Sequence, residues 1–252
     1  MAQDLQGRGA IVTGSSRGIG AATAALIAQR GAGVVINYRA KAPRANKVVK
    51  GIESSGGSAV AVQADLTEAA GAQQLVDAAV QNFGGLHILV LNASGGMEAD
   101  RGEDYALKLN RDAQVNMVTT AVETMPAGSQ IIFVTSHQAH FIHETATMDA
   151  YEPVARSKRA GEDALRELLP TLDDKGITLT VISGDMIEGT ITATLLDRAQ
   201  PGAIDARREA AGRLYSVDEF AAEIVQLVGR EDLPQAHTEL VGGAEDFLRA
   251  NS

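Results

Sequence analysis

Seven short apolar runs recur along the chain with little polar alternation inside them. They are GAIVTG from Gly9, GVVINY from Gly33, SAVAVQAD from Ser58, LHILVLNAS from Leu86, QIIFVTS from Gln130, ITLTVIS from Ile177 and HTELVGG from His237. Runs of this length predict strands, and their unbroken apolar character predicts a parallel sheet covered on both faces. Helical patterns fall between them, near 18–30, 44–55, 67–83, 103–125, 153–172 and 217–229. The alternation predicts an α/β fold: a doubly wound, seven-stranded parallel sheet with helices on both faces and right-handed crossovers. One stretch breaks the rhythm. Residues 184–216 are long, irregular in pattern and rich in Gly, Thr and Arg, which predicts a lid or binding loop.

Composition narrows the function classes. The chain has 252 residues, enough for one large α/β domain, and no Pro/Ser linker or repeat divides it. Its 22 basic residues face 32 acidic ones, a net charge of −10 that argues against nucleic acid or an anionic membrane as partner. The absence of cysteine excludes disulfides, thiolate metal sites and a cysteine nucleophile. The opening MAQDLQGRGAIVTG lacks the regions of a signal peptide, and no apolar run approaches membrane-spanning length. A cytoplasmic protein is expected.

The first run leads directly into TGSSRGIG, Thr13 to Gly20, and then into an alanine-rich helix. Gly14 can take a positive φ at the turn, Gly18 lets the backbone approach a pyrophosphate, and Gly20 lets helix pack on strand. The helix start then offers N–H groups and a positive dipole end to phosphates. In this strand-to-helix context the loop predicts dinucleotide binding, with Ser16, Arg17 and Ile19 beside the glycines. The whole chain, 1–252, then reads as one dinucleotide-binding domain with 184–216 as a substrate-lid insertion.

The Gly-x-x-x-Gly-x-Gly spacing resembles that of the short-chain dehydrogenase/reductase family, and further motifs follow in the family's order. QADLT at 63–67 resembles its adenine-contacting strand end, with Asp65 and Leu66. LNASG at 91–95 is similar to its Asn-Ala-Gly motif, with Asn92, Ala93 and Ser94, the serine standing where glycine is usual. LNRDAQVNMVTTAVETM resembles the helix carrying the family's asparagine, at Asn110, and FVTS resembles the strand ending in its serine, at Ser136. TELVGG resembles the last strand of its reductases, 3-oxoacyl-(acyl carrier protein) reductases included. After strand six, Ser183-Gly184 replaces the usual Pro-Gly; Gly184 and Ile187 are expected at the cofactor, with Met186 and Thr190 leading into the lid.

Cofactor choice is written at the end of strand two. NAD enzymes commonly place an acid there for the ribose hydroxyls. This chain has Asn37, Tyr38, Arg39 and Lys41 and no acid, and Arg17 lies in the glycine loop. Cations around an acid-free pocket suit the 2′-phosphate of NADP(H). A solvated turn is the alternative reading of Arg39 and Lys41.

The resemblance implies a working set of Ser136, Tyr151 and Lys158 with Asn110 in support. A free phenol exchanges protons poorly near neutrality, and a neighbouring ammonium favours its ionised form. The family spacing is Tyr-x-x-x-Lys, but four residues before Lys158 stands Val154. Tyr151 lies seven before it. On a continuous helix that is the same face but about one turn too far along. Pro153 predicts a helix start close by and an extended Tyr151 that could bend back toward the site.

Other polar residues have plainer readings. His137, His140 and His143 are spaced His-x-x-His-x-x-His, but no acidic cluster accompanies them, so pocket or surface histidines are expected and no metal. His137 is the reserve proton donor. Asp149 or Glu152 is a candidate helix cap; Arg156, Arg159 and Arg166 are expected on exposed turns or at a subunit contact. The leading expectation is an NADP(H)-dependent oxidoreductase acting on a small carbonyl or alcohol, a 3-oxoacyl thioester or cyclic ketone, as a homodimer or homotetramer. The alternative is a catalytically impaired NADP-binding sensor or structural protein of the same descent. A methyltransferase on a similar sheet fits the glycine loop and lysine helix less well.

Overall fold

The computed structural model describes residues 4–97 and 104–250. Seven parallel strands form the main sheet: β1 Gly9–Val12, β2 Gly33–Tyr38, β3 Ser58–Gln63, β4 Ile88–Leu91, β5 Gln130–Ser136, β6 Thr178–Gly184 and β9 His237–Val241. Their order is β3-β2-β1-β4-β5-β6-β9, so the direction of winding reverses beside β1 and opens a crevice there. Alternate residues of each strand serve opposite faces. Ile11, Leu89, Ile131, Phe133 and Val181 join the core under one helical layer, α3 Gly71–Phe83, α5 Ala113–Ala121 and α7 Glu152–Glu167. Val12, Val90, Ile132, Val134 and Ile182 join the core under the other, α1 Gly18–Gln29, α2 Ala42–Ser54 and α11 Val217–Leu227. Both faces of the central strands are buried, which is why those runs are apolar, whereas the edge strands β3 and β9 are only partly buried.

The helices depart from the sequence pattern in five places. The expected helix over 103–125, whose first residue lies outside the described residues, is α4 Tyr105–Leu107, a π-helical segment Lys108–Asp112, and α5. α3 starts at Gly71, since Asp65 accepts from both the backbone N–H (3.0 Å) and the hydroxyl (2.7 Å) of Thr67 and holds the preceding residues in a turn. The 153–172 pattern divides into α7 and α8 Leu169–Asp174 around Leu168, with Pro170 in the first turn of α8. α6 His137–His140 and α12 Ala244–Ala250 were not read.

The 184–216 stretch is the largest correction: it is ordered secondary structure. β7 Ile187–Glu188 pairs in parallel with β8 Tyr215–Ser216, and between them lie α9 Ile191–Ala199 and α10 Ala203–Ala211. Thr190 caps α9 by accepting from Ala193 N (3.1 Å), and Gly202, at φ +87°, starts α10. The Thr and Gly that read as irregularity are helix caps. Among the described residues no helix is long and apolar enough to cross a membrane.

Candidate active site

The crevice is a cavity of about 700 Å³ running from the glycine loop to residues 185–196, a volume suited to a cofactor with a small substrate. Its first wall is the loop after β1. Gly14 (φ +63°) and Gly18 (φ +56°) both occupy the left-handed region, and a Cβ on Gly18 would meet nothing within 4 Å, so this backbone faces open space. Gly20 is required by packing, since a Cβ there would sit 2.5 Å from Asn92 Nδ2 and 2.9 Å from Gly14 O. Thr13 ties the loop to β4, its hydroxyl accepting from Asn92 N (2.9 Å) and Ala93 N (3.0 Å).

Asn37 turns out to be a bracket. Its Oδ1 accepts from Gly14 N (3.0 Å) and its Nδ2 donates to Ala64 O (3.1 Å), so the side chain fixes the glycine loop from below. Ser16, Ile19, Tyr38, Asp65, Leu66, Ala93 and Ser94 line the cavity as expected from sequence. So do Arg17, Arg39 and Lys41, joined by Arg44 from the first turn of α2, which the sequence reading missed. Arg44 lies three residues past Lys41, a spacing that stacks residues on a helix face and could have found it. Arg39 is held by the Tyr105 hydroxyl, with its guanidinium 5.7 Å from the Tyr105 ring centre.

At the far end Ser136, Tyr151 and Lys158 line the same cavity, whereas Val154 is buried beside Tyr151 in a small apolar cluster with Ala139, Ala155 and Leu196. Ser136 Oγ and Tyr151 OH are 3.3 Å apart. Tyr151 is not extended, as its place before Pro153 suggested. It is the N-cap of α7 with φ −107° and ψ −13°, in a turn closed by its N–H on Met148 O (2.8 Å). Its own carbonyl accepts from Ala155 N, so the phenol leaves the helix at its mouth and turns inward to Ser136.

The electrostatics differ from expectation. Burial pushes the Tyr151 phenol up, opposed by the hydrogen bond with Ser136, so no neighbouring ammonium lowers it here. Lys158 Nζ donates to Val134 O (3.0 Å) and lies 5.9 Å from the Phe133 ring centre. Burial pushes this lysine down to about 8, and the negative charge of Glu162, one turn along α7, opposes the fall. Burial alone would raise the Glu162 carboxyl, but His140 (3.0 Å) and Arg166 (3.0 Å) hold it below the usual range.

Asn110 stands behind the reacting groups. It is buried in the π-helical segment, accepts from Gly95 N (3.2 Å), and donates to Gly95 O (2.8 Å) and Ser157 Oγ (2.9 Å). It therefore joins the 92–96 loop to α7 as a positioning residue. A Cβ on Gly161 would lie 2.0 Å from Asn110 O, which shows how closely α7 rests on that segment.

His137 loses its reserve role as a protonated donor: it is fully buried, with Nδ1 2.8 Å from Ser183 Oγ, and burial pulls it down to about 4. His140 serves Glu162 and His143 is exposed, so the three imidazoles do not converge. Arg166 is only half exposed, bonded to Ala236 O (3.2 Å) and Thr238 Oγ1 (2.8 Å), while Arg159 donates to His140 O (2.9 Å). Glu152 pairs with Arg156, and no side chain caps α7. Gly184 ends β6 and lines the cavity, and a Cβ there would strike the Phe220 ring at 2.7 Å. Ile187 and Met186 line the cavity beyond it. Asp185, buried against Arg207 of α10 (2.7 Å), ties the lid to the sheet.

Residues 8–200 match the family model described as short chain dehydrogenase. An uncharacterized oxidoreductase of Methylorubrum extorquens is 33% identical over 249 residues, covering 95% of this chain and 97% of its own. A probable tetrahydroxynaphthalene reductase of Zymoseptoria tritici is 37% identical over 187 residues, 71% of this chain and 68% of its own. The crystal structure of a short chain dehydrogenase from Burkholderia cenocepacia in complex with NADP superposes with a TM-score of 0.81 at 31% identity, covering 96% of this chain and 99% of that one.

Proposed function

The chain belongs to the short chain dehydrogenase family, and from that premise we propose that it is an NADP(H)-dependent carbonyl reductase with Tyr151 as its proton donor. The observation that carries the reading is the contact between the Tyr151 and Ser136 hydroxyls, 3.3 Å, in the cavity that also holds the glycine loop and Lys158. A nicotinamide dinucleotide fits the residues present: the open backbone at Gly18 and the helix start of α1 suit its pyrophosphate, and Arg17, Arg39, Lys41 and Arg44 suit a 2′-phosphate. When bound, the reduced nicotinamide supplies the hydride.

The rest is done by this chain's own groups. Ser136 donates to the substrate carbonyl oxygen and holds it against Tyr151. As the carbonyl carbon is reduced its oxygen becomes far more basic than a phenol, and Tyr151 transfers its proton there. A phenol raised by burial arrives with that proton in place, which suits reduction more than oxidation. Lys158 stays largely an ammonium near neutrality, placed to hold ribose hydroxyls, and the Ser136 hydroxyl is the group that stabilises the phenolate left behind. The lid wall of Met186, Ile187 and Leu196 keeps water from the reacting atoms.

The test is to follow NADPH absorbance with a panel of 3-oxo esters and cyclic ketones. Steady consumption that requires the ketone supports the reading. No consumption with any of them leaves a dinucleotide binder without reductase chemistry.

A further inference from the structure

Gln138 stands two residues past Ser136 and lines the same cavity, half-buried. Its Oε1 accepts from the backbone N–H of Met148 (3.0 Å) and from the Thr147 hydroxyl. A backbone N–H can only donate, so the amide is fixed with its oxygen toward the 147–148 turn and its NH2 group pointing away from it. Among the described residues neither N–H of that group meets an acceptor. The same turn leads into Tyr151, whose N–H is bonded to Met148 O (2.8 Å). One short segment therefore places both the phenol and the amide of Gln138.

We propose that Gln138 is a specificity-determining residue that donates a hydrogen bond to a second oxygen of the substrate. The proposal rests on the reductase reading and names its substrate class: ketones carrying a further carbonyl or hydroxyl oxygen two or three carbons from the reacting one. Cα atoms two residues apart lie roughly 5–7 Å from each other, so Ser136 and Gln138 address two different oxygens on a short carbon frame. The surroundings suit an apolar frame between those oxygens. Met186, Ile187, Ile191 and Leu196 line the cavity beside Tyr151, and an adaptable methionine among them suits flat or irregular apolar shapes. A 3-oxo ester and a cyclic 1,3-dioxygenated ketone both meet this description, whereas a simple ketone leaves the amide N–H groups without an acceptor.

The test compares ethyl acetoacetate with 2-heptanone, which has the same chain length and lacks the second oxygen. kcat/KM is measured for each with NADPH, and the Kd of ethyl acetoacetate is measured by calorimetry in the presence of NADP+. The parent protein should prefer the 3-oxo ester, part of that preference being the ester's activation of the ketone and about fivefold of it the worth of one neutral hydrogen bond. Gln138→Glu keeps two oxygens for Thr147 and Met148 but removes both donors; in it the preference should fall about fivefold, and the calorimetric Kd should rise by a similar factor. Gln138→Met, which adds no charge, should show the same loss of preference. A parent that reduces both ketones with equal kcat/KM, or variants that keep the parent's preference and Kd, would overturn the role of Gln138 and leave the reductase reading standing. A parent that consumes NADPH with neither compound nor any other ketone would remove the reductase reading, and this inference with it.

Discussion

Tyr151 and Lys158 line one cavity, and burial moves them in opposite directions: the phenol keeps its proton longer and the ammonium loses its proton sooner. Tyr151→Phe should lower ketone turnover by roughly 10²–10⁴-fold while the Kd for NADPH, by calorimetry, stays within a factor of about two, because the acidic proton alone is lost. Lys158→Ala should damage turnover and cofactor affinity together. The lysine also leaves a mark on stability. Its folded value of about 8 lies below the 10.5 of an ordinary lysine, so between those values the unfolded chain binds more protons and stability rises with pH. Below about pH 8 both states are protonated, and the folded chain bears the full cost of the buried charge, about 3 kcal/mol. Denaturation of the ligand-free protein and of Lys158→Met should therefore show the parent gaining stability relative to the variant between pH 8 and 10.5. A constant difference across that window would mean that Lys158 is not desolvated. From the sequence, Ser136 and Lys158 could be placed by motif alone. The phenol could not, since its reach depends on the turn at 148–151, which a helical count from Lys158 ignores.

At the scale of elements, the strands of the main sheet were legible: β1, β2, β4, β5 and β6 are almost wholly buried and so spelled in apolar residues, while the edge strands β3 and β9 are only partly buried and were legible from their place in the alternation. The helices were legible where an amphipathic face meets the sheet. They were lost where few side chains are buried: α9 buries Ala193 and Leu196, and α10 buries Ala203. Such short helices rest on caps and ion pairs more than on an apolar stripe. Arg207→Ala would leave the Asp185 carboxylate buried and unpaired, a loss of roughly 3–5 kcal/mol for such pairs. Amide exchange over 191–211 should accelerate in that variant while β4 and β5 stay protected; unchanged exchange would assign the anchoring of the lid elsewhere. The π-helical segment was equally invisible, because nothing in LNRD announces an altered hydrogen-bond ladder. α7 packs against this segment, with Gly161 close to Asn110 O. Gly161→Ala should destabilise the protein by about 3 kcal/mol, at the upper end for overpacking, since a backbone carbonyl cannot move aside as a side chain can. Chemical denaturation reads this directly, and a loss well below 1 kcal/mol would show that the helices separate easily.

Over the whole molecule, charge is distributed against its sum. The chain carries −10, yet Arg17, Arg39, Lys41 and Arg44 gather along one rim of the cavity. Composition could exclude nucleic acid as a general partner, but only the fold brings Arg44 beside Arg39, since α2 must start where β2 ends. NADPH should bind at least about tenfold more tightly than NADH, and Arg39→Ala should narrow that ratio. Recognition of the extra phosphate by exposed cations would make NADPH binding weaken more than NADH binding as salt is raised. Calorimetric titrations at two salt concentrations decide it; equal affinities would show that this rim does not read the phosphate.

Placing the phenol at the mouth of α7, outside its body, has a consequence for how this scaffold can change. When acid and cation share one rigid helix, a single rotation or shift displaces both, and neither can be adjusted alone. Here the lysine belongs to the helix and the phenol to the loop before it. Insertions or deletions between His143 and Ala150 would shift the Tyr151 phenol while leaving Lys158 in place, so under the proposed reading the two groups can change independently.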